Sequence, residues 1–146
     1  MLLKIKKLHP AAIVPKFATA GAACFDLHAI EADAFKPHPT DQHAAIFRTG
    51  LAVEVPPGFV MMIHSRSGQG FKDAIRLSNC AGVIDSDYRG EIMVSLRADG
   101  ETCTKVRDGE RIAQAMIVAL PVVQIVEAEE LSDTARGTGG FGSTGA

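Results

Sequence analysis

Five short segments of this chain concentrate side chains that can do chemistry. Ser65-Arg66-Ser67-Gly68 follows the apolar run Phe59–Ile63 and stands at the start of a short helical stretch, Gly68–Ile75. Helix N-terminal N–H groups, two hydroxyls and a guanidinium together make a reasonable anion site. The plainer alternative is a helix N-cap beside a solvated Arg. There is no Walker A pattern, so a P-loop is excluded. The second segment is Asn79-Cys80-Ala81-Gly82-Val83-Ile84-Asp85-Ser86-Asp87-Tyr88-Arg89-Gly90. Its two carboxylates lie two residues apart, on one face if the backbone is extended, just before the chain's only Tyr. Asp87–Gly90 resembles a hairpin turn, and a carboxylate capping local N–H groups is the plain reading. The chemical reading puts one carboxylate near a bound phosphorus, where it orients and deprotonates water. The Asp-Ser-Asp spacing makes no metal site by itself, and nearby His64 adds no ligand pattern.

In the third segment, Gly109-Glu110-Arg111-Ile112-Ala113-Gln114, Arg111 and Gln114 sit in a mostly apolar, strand-like context. A buried Arg needs a partner and a buried Gln needs several, so Arg111 reads as half of an ion pair and Gln114 as able to face a phosphate. The fourth segment runs from Pro15 through Ala22-Ala23-Cys24-Phe25 to Asp26-Leu27. Its small residues permit close backbone packing, and Asp26 reads as an orienting partner for an Arg. The fifth is the end of the chain, SDTARGTGGFGSTGA, with five glycines between Arg136 and Ala146. A spacer needs neither Arg136 nor Phe141. A guanidinium fork, a flat apolar face, the hydroxyls of Ser143 and Thr144 and Gly-rich backbone suit a lid that orders over a phosphorylated, aromatic ligand.

These residues must be held by short strands. Leu3 and Ile5, then Leu51, Val53 and Val55, then Ile92, Val94 and Leu96 follow a period of two. Pro56-Pro57-Gly58 and Asp108-Gly109 mark turns. Phe59–Ile63, Thr104–Val106, Ile112–Leu120 and Val122–Val126 read as further strands. The pattern predicts an all-β sandwich, jelly roll or barrel. The chain has 146 residues, enough for one domain that buries about two-thirds of its unfolded surface. A net charge of −2 argues against a broad nucleic-acid or anionic-membrane surface. The apolar stretches are too short to span a bilayer. Three cysteines without a CxxC spacing suit reduced thiols in the cytoplasm.

The order and spacing of PKFATAGAACFDL, SRSG, NCAGVIDSDYRGEI, GERIAQ and RGTGGFGSTG resemble the five motifs of the trimeric deoxyuridine triphosphatase (dUTPase) family, from about Pro15 to Gly145. The resemblance implies a distorted jelly roll over residues 1–131 and a flexible C-terminal lid over 132–146. It also implies a homotrimer whose active sites are built from three subunits, and Mg²⁺ held through triphosphate and water rather than by direct protein ligands. The implied reaction splits dUTP into dUMP and pyrophosphate, which keeps uracil out of DNA and supplies dUMP for thymidylate synthesis.

By position, the resemblance makes Asp85 the carboxylate that activates water. Asn79 and the backbone of Gly82, Val83, Ile84 and Met93 would read uracil. Tyr88 would pack on the deoxyribose and exclude a 2′-hydroxyl. Arg66, Ser67, Gly68 and Gln114 would contact the phosphate chain. Arg136, Gly142, Ser143 and Thr144 would hold its far end, Phe141 would stack over the base, and Asp26 and Arg111 would support. Cys24 and Gln69 depart from the residues usual at the motif edges. Two rivals are a deoxycytidine triphosphate deaminase, which needs a Glu beside the ring, and a non-catalytic β-sandwich module.

Overall fold

The computed structural model describes residues 1–99, 106–141 and 143. Its strands are β1 (Lys4–Lys7), β2 (Phe25–His28), β3 (Lys36–Pro37), β4 (Ala44–Arg48) and β5 (Leu51–Glu54), followed by β6 (Phe59–His64), β7 (Ile75–Leu77), β8 (Gly82–Ile84), β9 (Met93–Ala98) and β10 (Arg111–Ala119). Helix α1 (Ser67–Asp73) separates β6 from β7, and a single 3₁₀ turn covers Ala32–Ala34. One sheet has the order β2-β10-β6-β8, a second β3-β4-β9-β7, and β1 pairs with β5. All pairings between these strands are antiparallel.

Alternation decides which side chains meet. In β2, Phe25 and Leu27 are buried while Asp26 and His28 face outward; in β9, Val94, Leu96 and Ala98 turn inward. These join Phe47, Leu51, Met61, Ile63, Leu77, Ile112 and Ala115 in one core. Phe47 is among the largest side chains in it and stacks at 5.8 Å on Phe35. Burying a ring of that size contributes about 2–3 kcal/mol by area alone.

Most expected strands form, with shifted ends. The helix starts at Ser67 and stops at Asp73, because Ala74 turns left-handed (φ 52°) and donates its N–H to the Gln69 carbonyl. Ile75 then opens β7. Val122–Val126 is not a strand: these residues are exposed and have no regular secondary structure. Their apolar, β-branched composition suits a sheet, but among the described residues nothing pairs with them. Of the expected strand Thr104–Val106, only Val106 is described, and it is buried outside any strand.

Candidate functional site

The register of the first sheet builds a polar row. Gln114 of β10 stands opposite Asp26 of β2 on one side and His64 of β6 on the other, so all three project from the outward face. Gln114 donates from Nε2 to the Ser65 carbonyl at 2.9 Å, which fixes the chain where it leaves β6. The Ser65 hydroxyl accepts the Leu77 N–H at 2.9 Å and ties the far side of α1 to the same corner. Arg66 turns back over the row and its Nε meets Asp26 Oδ1 at 2.9 Å. Arg111 reaches the other oxygen of Asp26 at 3.3 Å.

Asp26 is therefore the orienting partner that its context predicts, and it serves two guanidinium groups. Two cations on one carboxylate leave an excess of positive charge aimed at solvent, the electrostatic requirement for a polyanion. Arg111 differs from its expected placement: its side chain is 52% exposed rather than buried. A register shift between Arg111 and Ala113 turns it out of the apolar run. Arg66 itself is the N-cap of α1, with no side-chain cap bond. Gly68 lies exposed in the first turn of that helix, and Gln69 is buried in it.

His28 stands beside Arg111 in the β2–β10 register. Burial pushes its imidazole below the ordinary value of 6.5; the charge of Asp26 opposes this, and Arg111 and Arg66 add to it. His28 and His64 both belong to this cluster, and no spacing in the sequence marks either as part of it.

A second cluster lies at the edge of the same sheet. A cavity of about 240 Å³ opens between β8 and the start of β9. Asn79, Gly82, Val83, Ile84 and Met93 all line it. Among the described residues β8 pairs only with β6, which leaves the N–H and C=O groups of its other edge without a strand partner beside the cavity. That alternation of donors and acceptors can recognise the edge of a heterocycle. The turn into β8 passes through Cys80 at φ 64°, and Ala81 donates its N–H to the Asn79 carbonyl at 2.7 Å. His38 and Ser95 also line the cavity and had no sequence signal. His38 sits between two prolines in a stretch without period.

Past β8 the chain forms a loop with Asp85 exposed. Tyr88 donates its N–H to the Asp85 carbonyl at 3.3 Å, and Arg89 Nη1 caps the Ser86 carbonyl at 2.7 Å. Among the described residues, neither the Asp85 nor the Asp87 carboxylate is used as a local cap, so both stay free to accept a proton or a hydrogen bond. No group of three or more His, Cys, Asp or Glu among them is arranged to hold a metal.

Within one chain Asp85 does not meet the cationic row, although Ile63 and Leu77 of the cavity wall adjoin Ser65. β8 runs antiparallel to β6, with Gly82 beside Ile63 and Ile84 beside Met61. Asp85 thus leaves toward the Val60 end, while Ser65–Ser67 leave from the other end. About five strand steps of ~3.3 Å put them roughly 15–20 Å apart. The described residues of the C-terminal arm join neither cluster. Val122, Ile125, Leu131 and Phe141 are fully or almost fully exposed. Arg136 donates to the carbonyl of Gly139 at 2.9 Å, and Ser143 is exposed. Gly142 and Thr144 lie outside the described residues.

A jelly-roll-like β fold with a base-sized pocket and a braced cationic row describes a nucleotide-handling enzyme. Comparison with known proteins narrows the class. The family model described as dUTPase matches residues 11–145. Deoxyuridine 5′-triphosphate nucleotidohydrolases of Picosynechococcus sp. and Nautilia profundicola are 46% and 48% identical over 145 residues, covering 99% of this chain and 99% of each relative. The Staphylococcus bacteriophage 80alpha dUTPase with dUPNHPP superposes with a TM-score of 0.81 at 26% identity, covering 99% of both chains. The chain belongs to the dUTPase family. It is an enzyme with the dUTPase jelly-roll fold.

Proposed function

We propose that this protein hydrolyses dUTP to dUMP and pyrophosphate in sites shared among the copies of a homotrimer. The observation that carries this reading is the pairing of a base pocket edged by free β8 backbone with a row in which Asp26 braces Arg66. A nucleoside triphosphate needs both, and one chain holds Asp85, roughly 15–20 Å from Ser65–Ser67, too far away to act on a phosphate bound there. The outward face of the first sheet supplies a reason for copies to associate. Met62 and Met116 stand opposite each other on that face, with Val83 alongside Met62 and the exposed Val118 further along. Apolar side chains on an uncovered sheet face favour burial against another copy. The apolar arm, 120–131, has the same need.

In this arrangement Asp85 of one copy takes a proton from water as its oxygen attacks the α-phosphorus bound at Arg66, Ser67, Gly68 and Gln114 of another. The bond from that phosphorus to the α–β bridging oxygen breaks, and pyrophosphate leaves with the electron pair. Charge is the principal barrier, because negative charge grows on the leaving group in a ligand already polyanionic. Mg²⁺ on the phosphate oxygens and water would supply further screening there, with hard oxygen donors suited to it. Residues 132–146 act as a lid: Arg136, Ser143, Gly142 and Thr144 at the distal phosphate, and Phe141 over uracil. Closure excludes bulk water.

Specificity follows from the pocket. Cytosine would leave β8 groups matched to uracil O4 and N3–H facing the wrong partners, a buried mismatch. A 5-methyl group must be excluded by shape, since attraction alone discriminates by only ~1–3 kcal/mol. Among the described residues no Glu lines the cavity, which weighs against cytosine deamination. The site of action is the cytoplasm, where the substrate forms; Cys24 and Cys80 are free thiols, consistent with that compartment. Pyrophosphate release from dUTP with Mg²⁺ tests the reading. Turnover of dUTP without ammonia release from dCTP supports it, and ammonia from dCTP with no pyrophosphate from dUTP overturns it.

A further inference from the structure

The loop that carries Asp85 and Tyr88 is held at one foot. Tyr88 donates its hydroxyl to the Glu91 carbonyl at 3.1 Å. Its ring lies against Gly90 so closely that a Cβ there would sit 2.4 Å from the phenol oxygen. The ring's direction is therefore set by the backbone at residues 90–91. That backbone is fixed in turn by the Glu91 side chain, which is only 18% exposed. Arg48 Nε donates to both Glu91 oxygens at 3.1 Å, and the Gly50 N–H donates to Oε1 at 2.8 Å. Arg48 is steadied from its other side by Glu31 at 2.6 Å.

The next residue is clamped by the same corner. The buried Thr49 hydroxyl donates to the Ile92 carbonyl at 2.6 Å, and the Ile92 N–H donates to the Leu51 carbonyl at 2.8 Å. The corner tolerates little change. Gly50 has φ +65°, and a Cβ on it would meet Ile30 Cδ1 at 2.7 Å.

We infer that Glu91, gripped by Arg48 and the Gly50 N–H, is a positioning residue that aims Tyr88 and thereby sets selection of deoxyribose over ribose. This inference rests on the proposed dUTP hydrolysis, with Tyr88 as the group that crowds out a 2′-hydroxyl. A partly buried ion pair that the Gly50 N–H also ties down holds its geometry better than an exposed one. Without it the ring can swing away from the sugar.

The chain has one Tyr and no Trp, so its intrinsic fluorescence reports Tyr88 alone. The test compares wild type, Glu91→Gln, Arg48→Lys and Tyr88→Ala by kcat/KM for dUTP and UTP, and by Tyr fluorescence anisotropy where Tyr88 remains. Glu91→Gln keeps an acceptor for the Gly50 N–H and is the variant suited to folding. We expect it to lose about tenfold in dUTP-over-UTP selectivity and to lower the anisotropy, with Arg48→Lys intermediate. In the Tyr88→Ala background, Glu91→Gln should change selectivity less than about twofold. Loss of turnover on both substrates in equal proportion, or an anisotropy equal to wild type, overturns the inference while dUTP hydrolysis stands. A wild type without dUTP turnover removes the functional reading and this inference with it.

Discussion

The two ends of β6 are finished to different degrees. At the Ser65 end, one chain supplies everything the cationic row needs: Asp26 braces Arg66 and Arg111, and Gln114 holds the Ser65 carbonyl. At the Val60 end, Asp85 stands exposed on its loop, and the arm beyond Leu120 leaves Phe141 and Ile125 in solvent. The difference separates two tasks. Binding a polyanion needs fixed cations that exist before the ligand arrives, and a single sheet can position them. In the proposed hydrolysis, attack by water needs a carboxylate kept apart from those cations until a ligand joins them. Had Asp85 been placed beside Arg66 in one chain, an ion pair would have consumed it, as Asp26 is consumed.

The sharpest way to break this contrast is to neutralise the free carboxylate. Asp85→Asn should lower kcat by about 10³-fold or more while leaving dUTP affinity near wild type, since the cationic row is untouched. Single-turnover kinetics with equilibrium binding separates the two, and near-normal turnover would remove Asp85 from the chemistry. Next, truncation after Ser132 removes Arg136 and Phe141. It should cost about 100-fold or more in kcat/KM and leave the oligomer intact by sedimentation, because the exposed apolar residues 122–131 remain. A truncated chain that turns over dUTP normally would make the tail a spacer.

At the braced end the effect should be smaller. Asp26→Asn frees Arg66 and Arg111 to wander and should raise KM by about tenfold with a lesser change in kcat. Equal losses in both would mean that the brace acts in the transition state. The smallest effect concerns pH. His28 is held below its ordinary value of 6.5 mainly by burial, so the unfolded chain binds the extra proton first as pH falls. Its contribution is complete above 6.5 and declines as pH drops through that value toward the folded pKa. His28→Gln should flatten the fall in thermal midpoint between about pH 7 and 5. An unchanged slope would clear His28 of any part in it.

The sequence revealed the strands that alternate strongly, such as Leu51-Val53 and Val94-Leu96, because one face of each is buried in the core. It concealed β3, β4 and β7. β3 and β7 span only 36–37 and 75–77, too short for a period, while Ala44 and Ala45 of β4 are both buried and hide the alternation. Val122–Val126 has strand composition but no partner among the described residues of its own chain, which is where composition and structure part. The residues around the β8 cavity were legible as a motif. His38, His28 and His64 were not, since cross-strand neighbours are created by register and leave no spacing in the sequence. Glu91 was hidden for a different reason: its role depends on Arg48, 43 positions away.

Subunit mixing tests the shared site most directly. Asp85→Asn and Arg66→Ala chains should each be inactive alone. Unfolded together in equal amounts and refolded, they should regain dUTP turnover at about one quarter of the sites, because a site drawing Arg66 from one copy and Asp85 from another can find both intact. Mixed oligomers, verified by mass, that stay as inactive as either parent would contradict a site divided between copies.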